Sequence, residues 1–541
     1  MKSQASYDLK TEHILPVRIV VAENVQNAEA LFSERPRQAF LEGGAAATIQ
    51  KGGFIVLDFG KELQGGVSIV TAVYSGEIRT ARLVFGESVM ESLSDIGHKC
   101  ATNDHAMRDF TVTLPWMSCQ RFGNTGFRFL KIEAVTGELP LGGVQAVFEY
   151  RDLEYKGSFE SSDTRLNEIW NVGAYTVHLN MQEYLWDGIK RDRLVWIGDM
   201  HPETSTISAV FGESEVVPKS LDFIREMLPA DGWMNGIPSY TMWWIKIHRD
   251  WYFQHGSLGY LKEQEAFLYA RLEQVLSHVN ADGTNSIDHK FVEWSSANTE
   301  SAAAGLQSMM IISLTAGAEL CAILGNDGLA QKCTAAAALL KQHVPPYAAN
   351  KQIAAMAALS GLADVKEVAD NVLKVGGADG LSTFWGYYVL QALAKSGDFA
   401  AAFDFIRTFW GGMLDFGATT FWEDFDLKWL EGDVYGIDKI VPENGIDIHG
   451  DFGKFCYEKF RHSLCHGWAS GPTAFLSRYV LGVEVVEPGC KTVRIKPVLG
   501  DIQWVKGTYP TPYGSIEVEH ENIGGEIKSK ITLPDGVKNL V

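Results

Sequence analysis

The chain has 541 residues, of which 46% are hydrophobic and 21% charged, and its formal net charge is −20. This length is too great for one hydrophobic core, so we expect a folded chain of about two to four domains. The negative charge argues against nucleic acid as a partner, because phosphate groups need a basic surface. It argues equally against binding to an anionic membrane surface.

The seven cysteines are scattered along the chain and include no Cys-x-x-Cys pair. Neither a zinc ribbon nor a disulfide framework is indicated, and buried free thiols are predicted instead. The first residues contain no apolar signal-peptide segment, and no later stretch reads as a continuous apolar run of membrane length. A cytoplasmic location is therefore expected. If a signal peptide has been removed, a periplasmic or secreted location is expected instead.

Residues 1–155 are predicted to form strands. Short β-branched and aromatic runs, separated by glycine or asparagine turns, occupy residues 54–60, 67–74, 81–85 and 127–135. Their spacing predicts an N-terminal β-sandwich, to which we assign no chemistry.

From about residue 161 the apolar residues recur at three- and four-residue steps, which predicts helices, the first capped by Ser162 or Asp163. Alanine-rich segments at 301–324, 329–343 and 352–374 continue this pattern. At about 25–30 residues for each helix and loop, residues 156–482 would hold on the order of a dozen helices. These could close as an (α/α)6 barrel or stack as an open solenoid. The lack of a fixed-length repeat weakens the solenoid interpretation.

Strand patterns return after residue 489 and predict a small C-terminal β domain over residues 483–541. The predicted fold is therefore multidomain and mainly α, with an (α/α)6 barrel as the catalytic domain. An N-terminal β-sandwich and the C-terminal β-sheet domain flank it.

The first motif that carries chemistry is Trp186-Asp-Gly-Ile-Lys-Arg-Asp-Arg-Leu-Val-Trp-Ile-Gly-Asp199. Carboxylates can accept hydrogen bonds from sugar hydroxyls, arginine can hold a carboxylate, and tryptophan can cover the apolar face of a sugar ring. The alternative interpretation is a loop between helices that is held by its own ion pairs.

The second motif, Gly417-Ala-Thr-Thr-Phe-Trp-Glu423, places a carboxylate among aromatic residues. Burial there would raise the carboxyl pKa toward a value useful for proton transfer. The alternative is a helix N-terminus, with Thr419 or Thr420 as the cap and Glu423 in a capping box.

The third motif, Ser463-Leu-Cys-His466, contains a histidine that could equally be structural. Trp244 and Trp294, in two aromatic segments, are either core residues or part of a sugar-binding cleft. The sequence contains no metal-ligand spacing, phosphate loop or dinucleotide fingerprint, so we expect neither a metal nor a cofactor.

Read together and in this order, the motifs resemble those of the inverting α-L-rhamnosidases, glycoside hydrolase family 78, within the six-hairpin glycosidases. The first resembles D-x-P-x-R-[DE]-x-R-L-G-W-x-G-D, and the second resembles G-A-T-T-x-W-E. The segment after Trp504 is similar to the usual hairpin of the family's C-terminal domain. The resemblance spans nearly the whole chain and implies the order of sandwich, barrel and small β domain.

The resemblance also implies roles for individual residues. Glu423 would be the general base that activates water, and His466 would contact the substrate. The residues implied to hold sugar hydroxyls and order the acidic loop are Asp187, Arg191 and Asp199. The aromatic residues implied to pack on the sugar are Trp196, Trp244 and Trp294.

The general acid is the position where the sequence departs from the family pattern. Many members read Arg-Asp-Glu-Arg-Leu-Gly-Trp, whereas this chain reads Arg191-Asp-Arg-Leu-Val-Trp196 and is one residue shorter. Asp192 is the carboxylate at the corresponding place, and Glu203 is the reserve candidate.

The resemblance implies an exo-acting, inverting hydrolase that releases terminal α-L-rhamnose from glycosides or oligosaccharides. In an inverting enzyme the acid and base stand roughly 6.5–9.5 Å apart, which leaves room for water. Two alternatives stay open. One is a six-hairpin glycosidase for another sugar such as a uronic acid, which Arg193 could contact. The other is a non-catalytic carbohydrate-binding homologue. The expected partner is a rhamnose-containing glycoside, and the sequence leaves a homo-oligomer open.

Overall fold

The computed structural model describes residues 9–33, 38–39, 41, 46–74, 78–229, 231–297, 299–348 and 350–540. The strands are β1 Lys10–Ile14, β2 Arg18–Gln26, β3 Ala47–Thr71, β4 Arg79–Gly86, β5 Asp109–Leu114, β6 Cys119–Ala134, β7 Leu139–Tyr150, β8 Ser158–Ser161, β9 Val434–Tyr435, β10 Ile446–Asp447, β11 Gly453–Lys454, β12 Tyr457–Glu458, β13 Val483–Val485, β14 Thr492–Ile495, β15 Trp504–Thr511, β16 Gly514–Ile523, β17 Glu526–Thr532 and β18 Lys538–Asn539.

The helices are α1 Val89–Ser92, α2 Thr164–Asn180, α3 Met200–Val210, α4 Val216–Met227, α5 Pro238–His255, α6 Leu258–Ser277, α7 Ala302–Ile323, α8 Asp327–Leu340, α9 Lys351–Ser360, α10 Val365–Val368, α11 Gly386–Ser396, α12 Phe399–Phe405, α13 Gly411–Asp415 and α14 Gly471–Tyr479. A π-helical turn, Ala369–Leu373, extends α10, and a second one, Ile406–Trp410, joins α12 to α13.

The chain forms two compact units. The first contains Met1–Asp152, His178–Leu194 and Met413–His466, and the second contains Leu153–Val177, Val195–Gly412 and Gly467–Val541. The first unit is rich in β-structure, and the second is mainly helical. The three domain boundaries expected from the sequence stay a prediction.

The first unit is built on a seven-stranded sheet in the order β1-β7-β3-β6-β4-β5, with β2 also paired to β3. The sequence pattern predicted two separate strands at 54–60 and 67–74, but β3 runs continuously from Ala47 to Thr71. Its pairing with β6 shifts between Asp58 and Leu63. Gly65, with φ +143°, permits close strand contact there, because a Cβ atom would lie 2.0 Å from the Val147 carbonyl oxygen.

The second unit contains the helices predicted from apolar periodicity. Asp163 Oδ1 accepts a hydrogen bond from the Leu166 amide at 3.0 Å and so caps the start of α2, as predicted. The three alanine-rich segments form α7, α8 and α9, with α10 following α9. Six helices of this unit are neighbours in a closed circuit: α3, α5, α7, α9, α11, α14 and back to α3.

Helix α7 differs from the expectation that no stretch has membrane length and apolarity. It is long and apolar enough to cross a membrane by length and composition, but 67% of its most apolar window is buried inside the protein. Burial against neighbouring helices accounts for this composition, because a helix that is apolar on all sides is typical of a protein core.

The strands near the C-terminus form two sheets of the second unit. One has the order β13-β14-β18 and the other β17-β16-β15-β8. The predicted hairpin is β15 and β16, paired in antiparallel register from Trp504 to Thr511. The edge strand β8 comes from residues just before α2, which the sequence pattern did not predict. All seven cysteines are free, as predicted. Four of them are buried, whereas Cys100 and Cys456 are half-buried and Cys119 is exposed.

Candidate active site

Residues 187–194 of the first motif form a closed loop in the first unit. The backbone amide of Asp187 donates to the Leu194 carbonyl at 3.0 Å, and the Leu194 amide donates to Asp187 Oδ1 at 2.9 Å. Asp187 is buried. It therefore fixes the two ends of the loop, in addition to the sugar-holding role that the resemblance implies for it.

Asp192 lies at the tip of this loop in a strained turn. The Arg193 amide donates to the Arg191 carbonyl at 2.8 Å, which makes Asp192 the central residue of a three-residue turn. Asp192 has φ +54° and Arg193 has φ +55°. A γ-turn with positive φ is rare, and such strained backbone is concentrated at functional sites.

Arg191 connects the two carboxyl groups predicted for catalysis. Its Nη1 lies 3.2 Å from Asp192 Oδ1, and its Nη2 donates to Glu423 Oε1 in a very close contact. Guanidinium nitrogens are separated by two C–N bonds of about 1.33 Å, so the contacted oxygens cannot lie more than about 8 Å apart. The structure thus brings residues 192 and 423 together around one arginine.

The second and third motifs meet beside this loop through backbone contacts. The Glu423 amide donates to the Ser463 carbonyl at 3.0 Å, and the His466 amide donates to the Phe421 carbonyl at 2.9 Å. Gly188 and His466 form an isolated β-bridge. A Cβ atom on Gly188 would lie 3.1 Å from His466 Nδ1, so glycine permits this close approach. The second and third motifs and the first nine residues of the first motif, 186–194, therefore converge within the first unit.

Glu423 is buried, and its surroundings favour its ionised form. Burial alone would raise the pKa, but the Arg191 guanidinium and the nearby imidazoles of His466 and His462 lower it to about 2. The Ser463 amide also donates to Oε2 at 3.2 Å. The expectation that burial would raise this pKa is wrong, because the arginine contact outweighs desolvation.

The capping-box alternative for the second motif is also wrong. The segment from Ala418 to Phe425 is irregular rather than the first turn of an α-helix. Thr419 Oγ1 accepts from the Glu62 amide at 2.9 Å, and Thr420 Oγ1 donates to the Leu464 carbonyl at 2.7 Å. These threonines thus attach the motif to neighbouring segments.

Lys190, within the first motif, lies in a buried ionic network. Its Nζ is 3.0 Å from Glu87 Oε2 and 3.1 Å from Glu91 Oε1, and it also donates to the Phe460 carbonyl at 2.9 Å. Glu87, Glu91 and His449 bring ligand atoms close enough to hold a metal ion. The Lys190 ammonium already supplies positive charge to the two glutamates. The cluster is therefore better described as a structural ionic network than as a metal site.

His105 contacts the predicted acid from the N-terminal region. His105 Nε2 lies 3.3 Å from Asp192 Oδ1, and the two side chains are 34% and 21% exposed. No chemistry was expected from the N-terminal 155 residues, and neither His105 nor Lys190 was predicted from the sequence. Each acts through partners distant in sequence, and no local motif marks such contacts.

Arg193 is engaged with the protein itself. Its guanidinium lies 4.4 Å from the Trp186 ring centroid and donates to the Asn124 carbonyl and to Asn124 Oδ1, both at 2.8 Å. These contacts hold the side chain through one stacking interaction and two hydrogen bonds.

The second unit contains the other residues singled out by the sequence. Asp199 is buried at the start of α3, 3.5 Å from the Tyr240 hydroxyl. Trp196 is half-buried and meets the Tyr240 ring edge to face at 6.0 Å. Trp294 is also half-buried and packs edge to face on Phe291 at 5.1 Å. Both tryptophans thus retain exposed surface in this unit.

Trp244 does not fit the expectation of a cleft residue. It is fully buried in α5 and packs against His248 at 3.9 Å and Phe267 at 5.2 Å between ring centroids. The core interpretation of Trp244 is therefore correct, because the first half of α5, from Pro238 to Ile245, is buried on all sides.

Glu203, the reserve candidate for the general acid, lies in α3 with 0% exposure. A Cβ atom on Gly467 would approach its Oε1 to 1.7 Å, which shows how closely the carboxyl group packs on that glycine. Asp192 is the more accessible of the two candidates.

The comparisons with known proteins identify the family. The bacterial alpha-L-rhamnosidase 6 hairpin glycosidase domain matches residues 154–480, and the bacterial alpha-L-rhamnosidase C-terminal domain matches residues 482–541. The chain belongs to the bacterial α-L-rhamnosidase family. An α-L-rhamnosidase of Formosa agariphila is 29% identical over 116 residues, which cover 21% of this chain and 12% of that protein.

Solved structures of family members share the fold. A family 78 rhamnosidase of Bacillus sp. GL1 is 22% identical with a TM-score of 0.74, covering 94% of this chain and 56% of that one. A Klebsiella oxytoca rhamnosidase with rhamnose bound is 20% identical with a TM-score of 0.68, covering 87% of this chain and 96% of that one. A Streptomyces avermitilis α-L-rhamnosidase complexed with L-rhamnose gives 17% identity and a TM-score of 0.73, covering 99% of this chain and 50% of that one. The chain thus spans about half the length of two of these structures.

Proposed function

We propose that this chain is an exo-acting glycoside hydrolase that releases terminal α-L-rhamnose with inversion of the anomeric configuration. The observation that carries the proposal is the Arg191 guanidinium, which contacts both Asp192 and Glu423. Family membership supports the substrate class. The limit of about 8 Å between the contacted oxygens keeps the two carboxyl groups close enough to act on one glycosidic bond. Inversion is proposed from the family resemblance.

In the proposed reaction Glu423 acts as the general base. Its pKa of about 2 keeps the carboxylate ionised at neutral pH, as proton removal from water requires. Asp192 acts as the general acid and donates a proton to the glycosidic oxygen. The 21% exposure of its side chain, against 0% for Glu203, favours Asp192 in this role.

We propose rhamnose rather than a uronic acid as the sugar, because the side chain of Arg193 is already engaged within the protein. A uronate would need a cation free to meet its carboxylate, whereas the Arg193 guanidinium stacks on Trp186 and donates twice to Asn124. His466 and Asp187, which lie in the first unit with Asp192 and Glu423, are proposed as substrate-binding residues. In the second unit, the family resemblance implies the same role for Asp199, Trp196 and Trp294.

We further infer an (α/α)6 barrel whose inner helices are α3, α5, α7, α9, α11 and α14. The closed circuit of neighbours among these helices supports it. A β-sandwich is inferred for the N-terminal strands, because β3 pairs with β2 between residues 48 and 58 and mainly with β7 between residues 65 and 71. A cytoplasmic location is proposed because the seven cysteines are free.

Hydrolysis of p-nitrophenyl α-L-rhamnoside tests the proposal. Glu423→Gln should lower kcat by about 10²- to 10⁴-fold because the base is lost. Azide should restore turnover in this variant, since an anionic nucleophile needs no deprotonation. Asp192→Asn tests the acid without changing the backbone, because asparagine tolerates positive φ. Proton NMR of the first-formed sugar should show the inverted anomer.

A non-catalytic carbohydrate-binding protein is the second candidate. The observation that favours it is the Arg191 contact itself, because a carboxylate with a pKa of about 2 is a weak base. Binding of L-rhamnose in calorimetry, without turnover of the aryl rhamnoside by the wild type, would support this candidate over the hydrolase.

A further inference from the structure

A cavity of about 590 Å³ lies within the second unit, among the six helices of the closed circuit. This volume falls in the range of small-molecule sites. Helices α5, α7, α9 and α14 line it mainly with residues from their C-terminal halves. Trp294, in contrast, precedes the N-terminal end of α7. The cavity is therefore separate from that proposed sugar-contacting position.

The cavity carries more positive than negative charge. Its cations are Lys246, Arg249, Lys341, Lys395 and Arg478, and its carboxylates are Asp250, Glu319 and Glu484. The lining thus has an excess of two positive charges, although the whole chain has a net charge of −20. An excess of positive charge in a cavity raises the local concentration of anions.

Three of the five cations already have carboxylate partners. Lys246 contacts Asp250, Arg249 Nε lies 2.7 Å from Glu319 Oε2, and Arg478 Nη2 lies 3.2 Å from Glu484 Oε1. Within the part of the chain that the structure describes, no ion pair is recorded for Lys341 or Lys395. Lys395 Nζ instead donates to the carbonyls of residues 358 and 359, at 3.3 and 3.2 Å. The charge excess therefore comes from these two lysines.

Gln254 supplies an independent observation. This cavity-lining side chain is only 8% exposed, and its Oε1 accepts a hydrogen bond from the Tyr509 hydroxyl at 3.1 Å. Its Nε2 has no hydrogen-bond partner among the described residues. A buried donor without a partner is unfavourable, and an oxygen atom of a ligand in the cavity would satisfy it.

We propose that this cavity binds a small organic anion that carries a carboxylate or phosphate group. Lys341 and Lys395 supply the positive charge that holds the anionic group. Gln254 Nε2 donates a hydrogen bond to a ligand oxygen. The proposal does not depend on hydrolysis of rhamnosides and can be tested by binding alone.

Isothermal titration calorimetry with inorganic phosphate, glucose 6-phosphate, citrate and neutral glucose tests the proposal. We expect saturable binding of at least one anion and none of glucose. Binding of the phosphates alone would assign a phosphate group, and binding of citrate alone a carboxylate. No saturable binding of any anion below about 10 mM, or equal binding of glucose, would overturn the proposal.

Matched variants locate the site. Lys341→Met and Lys395→Met should each weaken anion binding by about tenfold, the loss of one charge-assisted hydrogen bond. Thr315→Trp places bulk in the cavity from an exposed position without changing charge, and it should abolish binding. Lys332→Met removes a cation from α8, outside the cavity lining, and should bind as wild type does. Unchanged binding in all three cavity variants, or an equal loss in Lys332→Met, would refute the site.

Discussion

Arg191 donates from Nη2 to Glu423 Oε1, and both side chains are at least 95% buried. A buried cation beside a carboxylate both orients it and favours its charge. In this chain the contact opposes the effect of burial, which alone would raise the Glu423 pKa. Arg191 therefore sets the protonation state of the proposed base, and the first prediction follows from that.

Arg191→Met should raise the pKa of Glu423, because burial would no longer be opposed by the guanidinium. In the wild type this pKa is about 2, so Glu423 should produce no acidic limb in a kcat/KM profile between about pH 4 and 8. In the variant an acidic limb should enter that range. Arg193→Met, which leaves the Arg191 contact in place, is the control. An identical pH profile for wild type and Arg191→Met would contradict the prediction.

Asp424 is predicted to oppose folding at neutral pH. Burial raises its pKa from 3.8 to about 6, so the folded chain holds a proton that the unfolded chain releases near pH 4. The group thus favours folding below pH 4, and its contribution is lost as the pH rises through 6. As the pH rises from 4 to 7.5, the unfolding free energy of Asp424→Asn should increase by about 3 kcal/mol relative to that of the wild type. Urea unfolding measures this, and a difference that stays constant with pH would contradict it.

Lys190→Met should destabilise the first unit strongly. The substitution leaves Glu87 and Glu91 buried without the ammonium group that lies about 3 Å from each. Loss of one partner from a buried ionic network costs roughly 3–5 kcal/mol. Arg108, which also contacts Glu91, should keep the loss near the lower value. In urea unfolding the surface variant Lys332→Met should change stability by no more than about 0.5 kcal/mol.

His105→Phe should lower kcat for the proposed reaction by about tenfold while KM changes little. The substitution removes the imidazole that lies 3.3 Å from Asp192 Oδ1 and so loosens the position of the proposed acid. His98→Phe changes a histidine on the same N-terminal segment that contacts Ser94, and it serves as the control. Equal rates for His105→Phe and wild type would leave His105 without a role in catalysis.

Local periodicity and short motifs were sufficient to predict much of this structure. Helices α7, α8 and α9 follow from the spacing of their apolar residues, whereas the β15–β16 hairpin was predicted through the family resemblance. The clustering of the three motifs was predicted through family resemblance. The family resemblance implied that Trp244 lines the cleft, but this residue is fully buried in the core. Aromatic residues on a helix are commonly core residues.

Other features depend on contacts that no local pattern encodes. The sequence does not indicate that Lys190 is buried, because its partners Glu87 and Glu91 lie about a hundred residues earlier in the chain. The direction of the Glu423 pKa shift depends on whether Arg191 reaches it, and two short motifs cannot specify that distance. The continuous strand β3 likewise depends on neighbours that pair across its glycines.

The hydrogen bonds between Asp187 and Leu194 fix the length of the loop that carries Asp192. An engineer who wished to restore the glutamate present in many relatives would have to insert a residue between these two anchors. The inserted residue would displace a turn that already has two consecutive residues at positive φ. A single insertion would add the glutamate but would also disrupt the conformation of the loop. Replacing the whole segment, including both anchoring residues, with the segment of a relative should therefore be more successful.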